Sequence, residues 1–228
     1  LSANLDFLDQ TKSQNSKRTD NISDNAALEQ NWSGLVDAET EIKTYQLHRK
    51  FILTQIGSGL LIINQQRAHQ QILFEQFIFE LNRNTAETQK LMFPKTIELN
   101  NSDFELIREV LDEIKKIGFG IEIFGKNTLA INGLPMGVEE ENCEKIIEGF
   151  IEQVKNNANE ISAKNKPSLA MSLARSASIK NGRKLTFEEM NTLVDQLFAC
   201  ETPYLSPNGK PIIIKINEDE LDQRFDKK

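Results

Sequence analysis

The sequence has little of what several classes of protein require. Its 228 residues include only two cysteines, one tryptophan, two tyrosines and two histidines. Cys143 and Cys200 lie far apart and show no CxxC or Cys/His spacing, so neither a disulfide framework nor a structural zinc site is indicated. We therefore expect two buried thiols in a reducing compartment.

Long apolar runs and a surplus of basic residues are also missing. No run approaches the roughly 20 apolar residues that cross a bilayer, and no signal-like segment follows Leu1. We therefore expect a cytoplasmic protein with no membrane partner and, because Leu1 is not a start methionine, a fragment of a longer chain. The net charge is -7, which disfavours a chain whose main task is to grip nucleic acid, because phosphates attract Lys and Arg. Any DNA contact is expected to be local, weak or indirect.

The most informative stretch runs from Gly57 to Leu81. Residues 60–63 read as a buried strand, and residues 65–81 read as a helix without Gly or Pro that is apolar on almost every side. Such a helix must be covered all round, either by its own core or by its own sheet together with a partner subunit. The stretch therefore suggests both a core and an interface, to which a late apolar strand at 212–216 would also belong.

The remaining pattern alternates strands with amphipathic helices. Strands are predicted at 44–47 and 51–56, with a tight hairpin at 57–59. The capping box Ser102 to Glu105 opens a helix that Gly118 ends, and a second capping box at Thr186 opens another. We predict an α/β (α+β) fold with two subdomains.

The polar breaks in the sequence set the expected domain boundaries. Residues 1–42 fall into no period and read as a linker. One subdomain is expected from residues 43–94 and 166–228, and the residues between them, 95–165, are expected to form an inserted outer subdomain.

The junction between the apolar strand and the long helix carries the motif Asn64-Gln65-Gln66-Arg67-Ala68-His69-Gln70-Gln71-Ile72-Leu73-Phe74-Glu75. Together with the later turn Ser206-Pro207-Asn208-Gly209-Lys210-Pro211, it resembles the C-terminal domain of the MutL mismatch-repair family. In the family this motif is usually Asp-Gln-His-Ala, followed after two residues by Glu and after four more by a second Glu. The resemblance extends from about Tyr45 to Phe225, with the matching segments in the same order along the chain. It implies a homodimerisation scaffold that works with other mismatch-repair proteins such as MutS. On this resemblance the subdomain of residues 43–94 and 166–228 serves dimerisation and the outer one, 95–165, is regulatory. We expect the dimer interface to include Ile72, Leu73, Phe77 and Ile213. It also implies an N-terminal ATPase module, with its ATP and Mg²⁺, that is absent from this chain.

The residues that would hold a catalytic metal are mostly replaced. In nuclease-bearing members of the family, acids and a His of the motif, with a Cys and a His of the turn, build a metal site that nicks DNA. Only Glu75 keeps its type, and Arg175 falls where another Cys is expected; the other positions carry neutral side chains, namely Asn64, Gln66, Gln70, Ser206 and Asn208. Neutral amides bind Mn²⁺ or Zn²⁺ weakly, so we predict no metal, no cofactor in this fragment and an inactive nuclease motif. The alternative is a metal-dependent nicking endonuclease with rearranged ligands.

Two further features have competing interpretations. The segment Gln89, Lys90, Leu91, Met92, Phe93, Pro94 resembles the peptide with which repair proteins dock the replication sliding clamp, so a clamp-binding adaptor is a third possible function. The same residues also fit the entry of a strand with Met92 buried. His69, alone on an apolar helix, is expected to be a hydrogen-bonded structural residue rather than a ligand.

Overall fold

The computed structural model describes residues 43–83, 86–140, 143–156 and 165–226; the predicted linker at 1–42 lies outside them. Seven strands and six helices are present in these ranges. The strands are β1 (Thr44–Leu47), β2 (Phe51–Ile56), β3 (Gly59–Asn64), β4 (Thr88–Glu98), β5 (Gly120–Ile123), β6 (Thr128–Pro135) and β7 (Ile213–Asn217). The helices are α1 (Gln65–Arg83), α2 (Asn101–Lys116), α3 (Cys143–Asn156), α4 (Lys166–Ala177), α5 (Phe187–Phe198) and α6 (Glu218–Asp226).

The strands form two sheets. A four-stranded sheet has the order β1-β2-β3-β7, and a three-stranded sheet has the order β4-β6-β5. In the second sheet both pairings are antiparallel. This mixture of helices and antiparallel sheets confirms the predicted α/β (α+β) class. Across the described residues, no helix combines the length and the apolar character that crossing a bilayer requires.

The chain divides into two compact units. The larger contains Thr44–Leu53 and Ile62–Ile214, and the smaller contains Thr54–Leu61 and the chain from Lys215 onward. Within the smaller unit, Gly59 has a φ of +141°, and a Cβ there would lie 2.2 Å from the carbonyl oxygen of Ile216. Only glycine fits this position, because its neighbour is backbone that cannot move aside.

A hydrophobic cluster forms much of the core of the larger unit, although other buried residues of that unit, such as Ile63 and Leu197, are not part of it. It includes Leu73 and Phe77 of α1, Ile97 of β4, Phe150 of α3 and Leu173 of α4. The rings of Phe77 and Phe119 pack with their centroids 6.4 Å apart. This cluster has members on both sides of the predicted subdomain boundaries at 94/95 and 165/166, and the two subdomains stay a prediction.

The helix limits agree with the capping signals, with one correction. Thr186 and Glu189 form the predicted capping box at the start of α5. Helix α2, however, begins at Asn101, because the side chain of Asn100 accepts the backbone N–H of Asp103 at 2.9 Å and acts as the N-cap. The predicted cap, Ser102, therefore lies inside the first turn. At the other end Gly118 adopts a φ of +106° just after the helix, as predicted.

The residues predicted to form a dimer interface are mostly covered by the chain itself. Leu73 and Phe77 belong to the core cluster, and Ile213 is also buried, while Ile72 is half-buried. Because α1 packs against both α4 and α5, its apolar sides find their cover within the chain. Leu73, Phe77 and Ile213 are therefore buried within the single chain, and their part in a dimer interface stays a prediction.

Candidate functional site

The two halves of the nuclease-like motif, far apart in sequence, meet at the start of α1. The backbone N–H of Asn64 donates to the carbonyl of Ile212 at 2.9 Å. One turn into the helix, Arg67 Nη1 donates to the carbonyl of Pro211 at 2.6 Å. The structure therefore brings the helix start and the 206–211 turn together, as the resemblance implies.

Within this site the helix residues have mainly structural partners. The side chain of Asn64 accepts the backbone N–H of Arg67 at 3.0 Å and so acts as an N-cap, a role in which Asn and Asp are equivalent. Gln66 is half-buried. Gln70 is 7 % exposed, and its Nε2 has no hydrogen-bond partner within the described part of the chain. These amides present neutral donors and acceptors where metal ligands would be anionic or imidazole.

The turn contributes no better ligand. Ser206 is buried, and its hydroxyl accepts the backbone N–H of Lys210 at 3.1 Å, while its carbonyl accepts the N–H of Gly209 at 2.8 Å. Asn208 is exposed at the tip of the turn. Ser206 thus closes the turn instead of facing an ion.

Glu75, the acid that keeps its type, is engaged by the loop after α5. Its carboxylate accepts the backbone N–H groups of Glu201 at 2.8 Å and Thr202 at 3.0 Å, the Thr202 hydroxyl at 3.1 Å and Gln71 Nε2 at 2.7 Å. Burial raises the pKa of the neighbouring Cys200 thiol to about 12, with the charge of Glu75 and its hydrogen bond contributing in the same direction. A thiol with this pKa is a poor ligand and nucleophile at neutral pH.

The arrangement as a whole lacks a cluster of strong ligands. Among the described residues, no three side chains of His, Cys, Asp or Glu lie close enough together to hold a metal ion. Arg175, where the resemblance expects a Cys, is exposed near the end of α4, and its carbonyl accepts the ammonium group of Lys180. The chemistry that the site offers is hydrogen bonding by amides, hydroxyls and cations.

His69 is a structural residue, as predicted. Its Nδ1 accepts the backbone N–H of Ile179 at 2.9 Å, and a second hydrogen bond involves the backbone of Gly137. Burial is the main cause that lowers the pKa of His69 to about 4; the charge of Arg183 contributes in the same direction, and the hydrogen bond with Gly137 opposes them. The neutral imidazole therefore joins α1 to two loops.

Sequence reasoning missed a buried polar network beside the motif. Gln65 is fully buried, and its side chain accepts Gln46 Nε2 at 2.7 Å and donates to the carbonyls of Arg49 at 2.9 Å and Arg183 at 3.2 Å. Arg183 itself forms ion pairs with Glu139 and Glu189. The sequence feature that could have indicated this network is Gln65, because it is a polar amide on a helix that the apolar pattern places in the core.

The clamp-like peptide lies in the edge strand β4, at an irregularity. Gln89 and Lys90 pair with β6, and pairing resumes only at Lys95, which is opposite Ile131. In the unpaired stretch Met92 is 82 % exposed and Phe93 is 72 % exposed, whereas Leu91 is buried in the core cluster. The alternative with Met92 buried is therefore wrong.

Comparison with known proteins identifies relatives over most of the chain. The family model described as the MutL C terminal dimerisation domain matches residues 44–185. The DNA mismatch repair protein MutL of Prosthecochloris aestuarii is 36 % identical over 208 residues, which are 91 % of this chain and 33 % of that protein. The DNA mismatch repair proteins MutL of Chlorobium chlorochromatii and Chlorobaculum tepidum are each 37 % identical over 190 residues, 83 % of this chain and 30 % of each relative. The chain thus spans about a third of the length of these curated relatives.

Proposed function

Because the chain belongs to the MutL C-terminal dimerisation domain family, we propose that it is the homodimerisation scaffold of a MutL-type DNA mismatch-repair protein. The match to a family described by its dimerisation, over residues 44–185, carries this proposal. In the whole protein the scaffold would couple an ATPase module, its ATP and Mg²⁺ to other repair proteins such as MutS. The work of this part is then to hold two copies together.

The face of the four-stranded sheet opposite the core supplies a candidate interface. Ile52, Ile63 and Ile213 point into the core on neighbouring strands. Because side chains alternate along a strand, the next positions, Leu53, Ile62 and Ile214, lie on the other face. Leu53 and Ile62 are half-buried and Ile214 is 57 % exposed. A row of large aliphatic side chains on an outer sheet face favours burial against a second copy.

The test is the mass in solution across a dilution series, measured by multi-angle light scattering. We expect the chain to be a dimer and Ile214→Glu to shift the mass toward the monomer, because a carboxylate would have to lose its hydration in the interface. The control is Ile123→Glu, a similarly exposed isoleucine on edge strand β5. A wild-type chain that is monomeric at micromolar concentration would overturn the proposal that it is a dimerisation scaffold. A dimer that tolerates Ile214→Glu would overturn the proposed position of the interface.

In this proposal the nuclease motif is inactive. Its support is the set of possible metal ligands. Gln66, Gln70, Ser206 and Asn208 offer no charged ligand, and the Glu75 carboxylate accepts hydrogen bonds from Gln71, Glu201 and Thr202 of its own chain. We expect no manganese-dependent nicking of supercoiled plasmid. Nicking that disappears in Glu75→Ala would instead establish the endonuclease with rearranged ligands.

Sliding-clamp binding is a second candidate function, favoured by the exposure of Met92 and Phe93. Two large apolar side chains that project from an edge strand can bind a hydrophobic cleft on a partner. Gln89 and Pro94, which flank them in the sequence, are also exposed. Leu91 would remain in the core and anchor the segment. Binding of the replication sliding clamp should be lost in Met92→Ala/Phe93→Ala but kept in the matched pair Ile123→Ala/Phe124→Ala, which is exposed on the same sheet.

A further inference from the structure

The turn between β1 and β2 has an unusual backbone for its sequence. His48 and Arg49 have φ values of +51° and +50°, and the N–H of Lys50 donates to the carbonyl of Leu47 at 3.1 Å. A two-residue hairpin turn with positive φ at both central positions is normally built from Asn-Gly, because larger side chains are strained there. Here both positions carry large side chains, and one of them is an arginine.

Neighbouring elements hold this turn in place. The carbonyl of Arg49 accepts Gln65 Nε2 and the backbone N–H of Gly182, each at 2.9 Å. The carbonyl of Lys50 accepts the N–H of Gln65 at 3.1 Å. The strained turn therefore lies against the start of α1 and against the loop at residues 180–184, and these contacts offset its strain.

The same convergence gathers positive charge. Arg49 and Lys50 of the turn and Lys184 of the loop are exposed, and Arg67 of α1 is half-buried; we call these four residues the basic surface. Within the described part of the chain, none of the four takes part in an ion pair, whereas the nearby acids Glu139 and Glu189 are both paired with Arg183. In a chain of net charge -7, this is an unneutralised local concentration of cations.

We propose that the basic surface contacts the phosphate backbone of double-stranded DNA. Lys and Arg side chains contributed by separate segments fit the contacts that position a protein on a duplex without reading its sequence. The strained turn fits the same role, since an Asn-Gly turn would avoid the strain but would lose Arg49. DNA is chosen over an acidic protein because the chain belongs to a mismatch-repair family, and to this extent the inference rests on the proposed function.

The experiment measures the binding of a fluorescein-labelled linear duplex by anisotropy over a series of salt concentrations. Removing Arg49 and Lys50 (Arg49→Ala/Lys50→Ala) should lower the slope of log affinity against log salt by about two, since each phosphate contact contributes about 0.9. The matched control is Lys126→Ala/Lys145→Ala, which removes the same charge from exposed positions elsewhere. Absence of wild-type binding at low salt, or an equal loss in the control, would overturn the proposal.

A second variant separates charge from folding. His48→Asn/Arg49→Gly creates the Asn-Gly turn that suits this backbone, so its thermal midpoint should equal or exceed that of the wild type. The slope for DNA should nevertheless fall by about one; an unchanged slope would overturn the role of Arg49. Light scattering on the same samples reports dimerisation independently. A monomer that binds DNA would therefore contradict the proposed scaffold function but support DNA binding by the basic surface.

Discussion

The carboxylate of Glu75 and the backbone N–H of Thr202 lie 3.0 Å apart, although 127 residues separate them in the chain. Together with the N–H of Glu201 at 2.8 Å, this contact attaches the loop after α5 to the middle of α1. The one acidic side chain that survives from the nuclease-like motif is therefore an acceptor for loop backbone. These contacts give Glu75 a structural role in the fold.

Replacing Glu75 by glutamine should make Cys200 more reactive. Burial is the main cause of the raised pKa of this thiol, but the Glu75 charge and its hydrogen bond also raise it. Glu75→Gln removes the charge, so the thiolate fraction at mildly alkaline pH should increase and iodoacetamide should label Cys200 several-fold faster. Labelling is followed at each cysteine by mass spectrometry. The control Glu201→Gln changes an exposed acid of the same loop and should leave the rate unchanged; equal rates in both variants would contradict the assignment.

Amphipathic elements were predictable from the sequence because their burial follows a simple period. Helix α2 buries Ile107, Val110, Leu111 and Ile114 on one side, as its apolar stripe predicts. The hairpin from β5 to β6 was indicated by two apolar segments around Gly125. In such elements the burial of each residue follows from its position in the local sequence, so the apolar pattern alone predicts which side of the helix or strand is buried.

The surfaces that pack against α1 could not be predicted in the same way. A helix that is apolar all round shows only that it is buried, not whether the covering surface belongs to its own chain or to a partner. Leu73 and Phe77, which we predict for the interface, lie in the core cluster of the single chain. The strained turn at His48 and the projecting stretch at Met92 were also beyond local reasoning, since each depends on contacts or register set by distant segments.

Gln65 should be more important for stability than its neighbour Gln66. It is fully buried and bonded to Gln46, Arg49 and Arg183, so Gln65→Leu leaves a buried amide and two carbonyls without this partner. Each of these groups keeps one other partner, because Gly182 N–H still donates to the Arg49 carbonyl and Gln46 Nε2 to the Arg183 carbonyl. We expect the free energy of unfolding to fall by about 2–4 kcal/mol, since each of the three lost hydrogen bonds contributes about 0.5–1.5 kcal/mol. Urea denaturation measures it, with Gln66→Leu, half-buried one position away, as the control. A loss for Gln66→Leu as large as that for Gln65→Leu would remove the special role of the network.

Truncating Phe77 tests whether α1 belongs to the chain's own core. Its ring is fully buried against Phe119, so Phe77→Ala should lower the free energy of unfolding by about 3–5 kcal/mol through lost burial and a new cavity. Phe124→Ala, in an exposed position, should change it by less than about 0.5 kcal/mol. Measured below the concentration at which dimers form, a small effect of Phe77→Ala would show that the ring is buried only in the dimer.

His69 should make the protein less stable in mild acid. Its pKa falls from 6.5 to about 4 in the folded chain, with burial as the main cause, so between these values the unfolded state binds a proton that the folded state does not. The stability contributed by the neutral imidazole is fully present above pH 6.5 and is lost as the pH falls toward 4. The complete loss is about 3 kcal/mol, at roughly 1.4 kcal/mol for each pKa unit. Urea denaturation across this range should show that His69→Gln removes this pH dependence, while the exposed control His48→Gln keeps it. If His69→Gln and the wild type lose stability in parallel, the imidazole does not carry the effect.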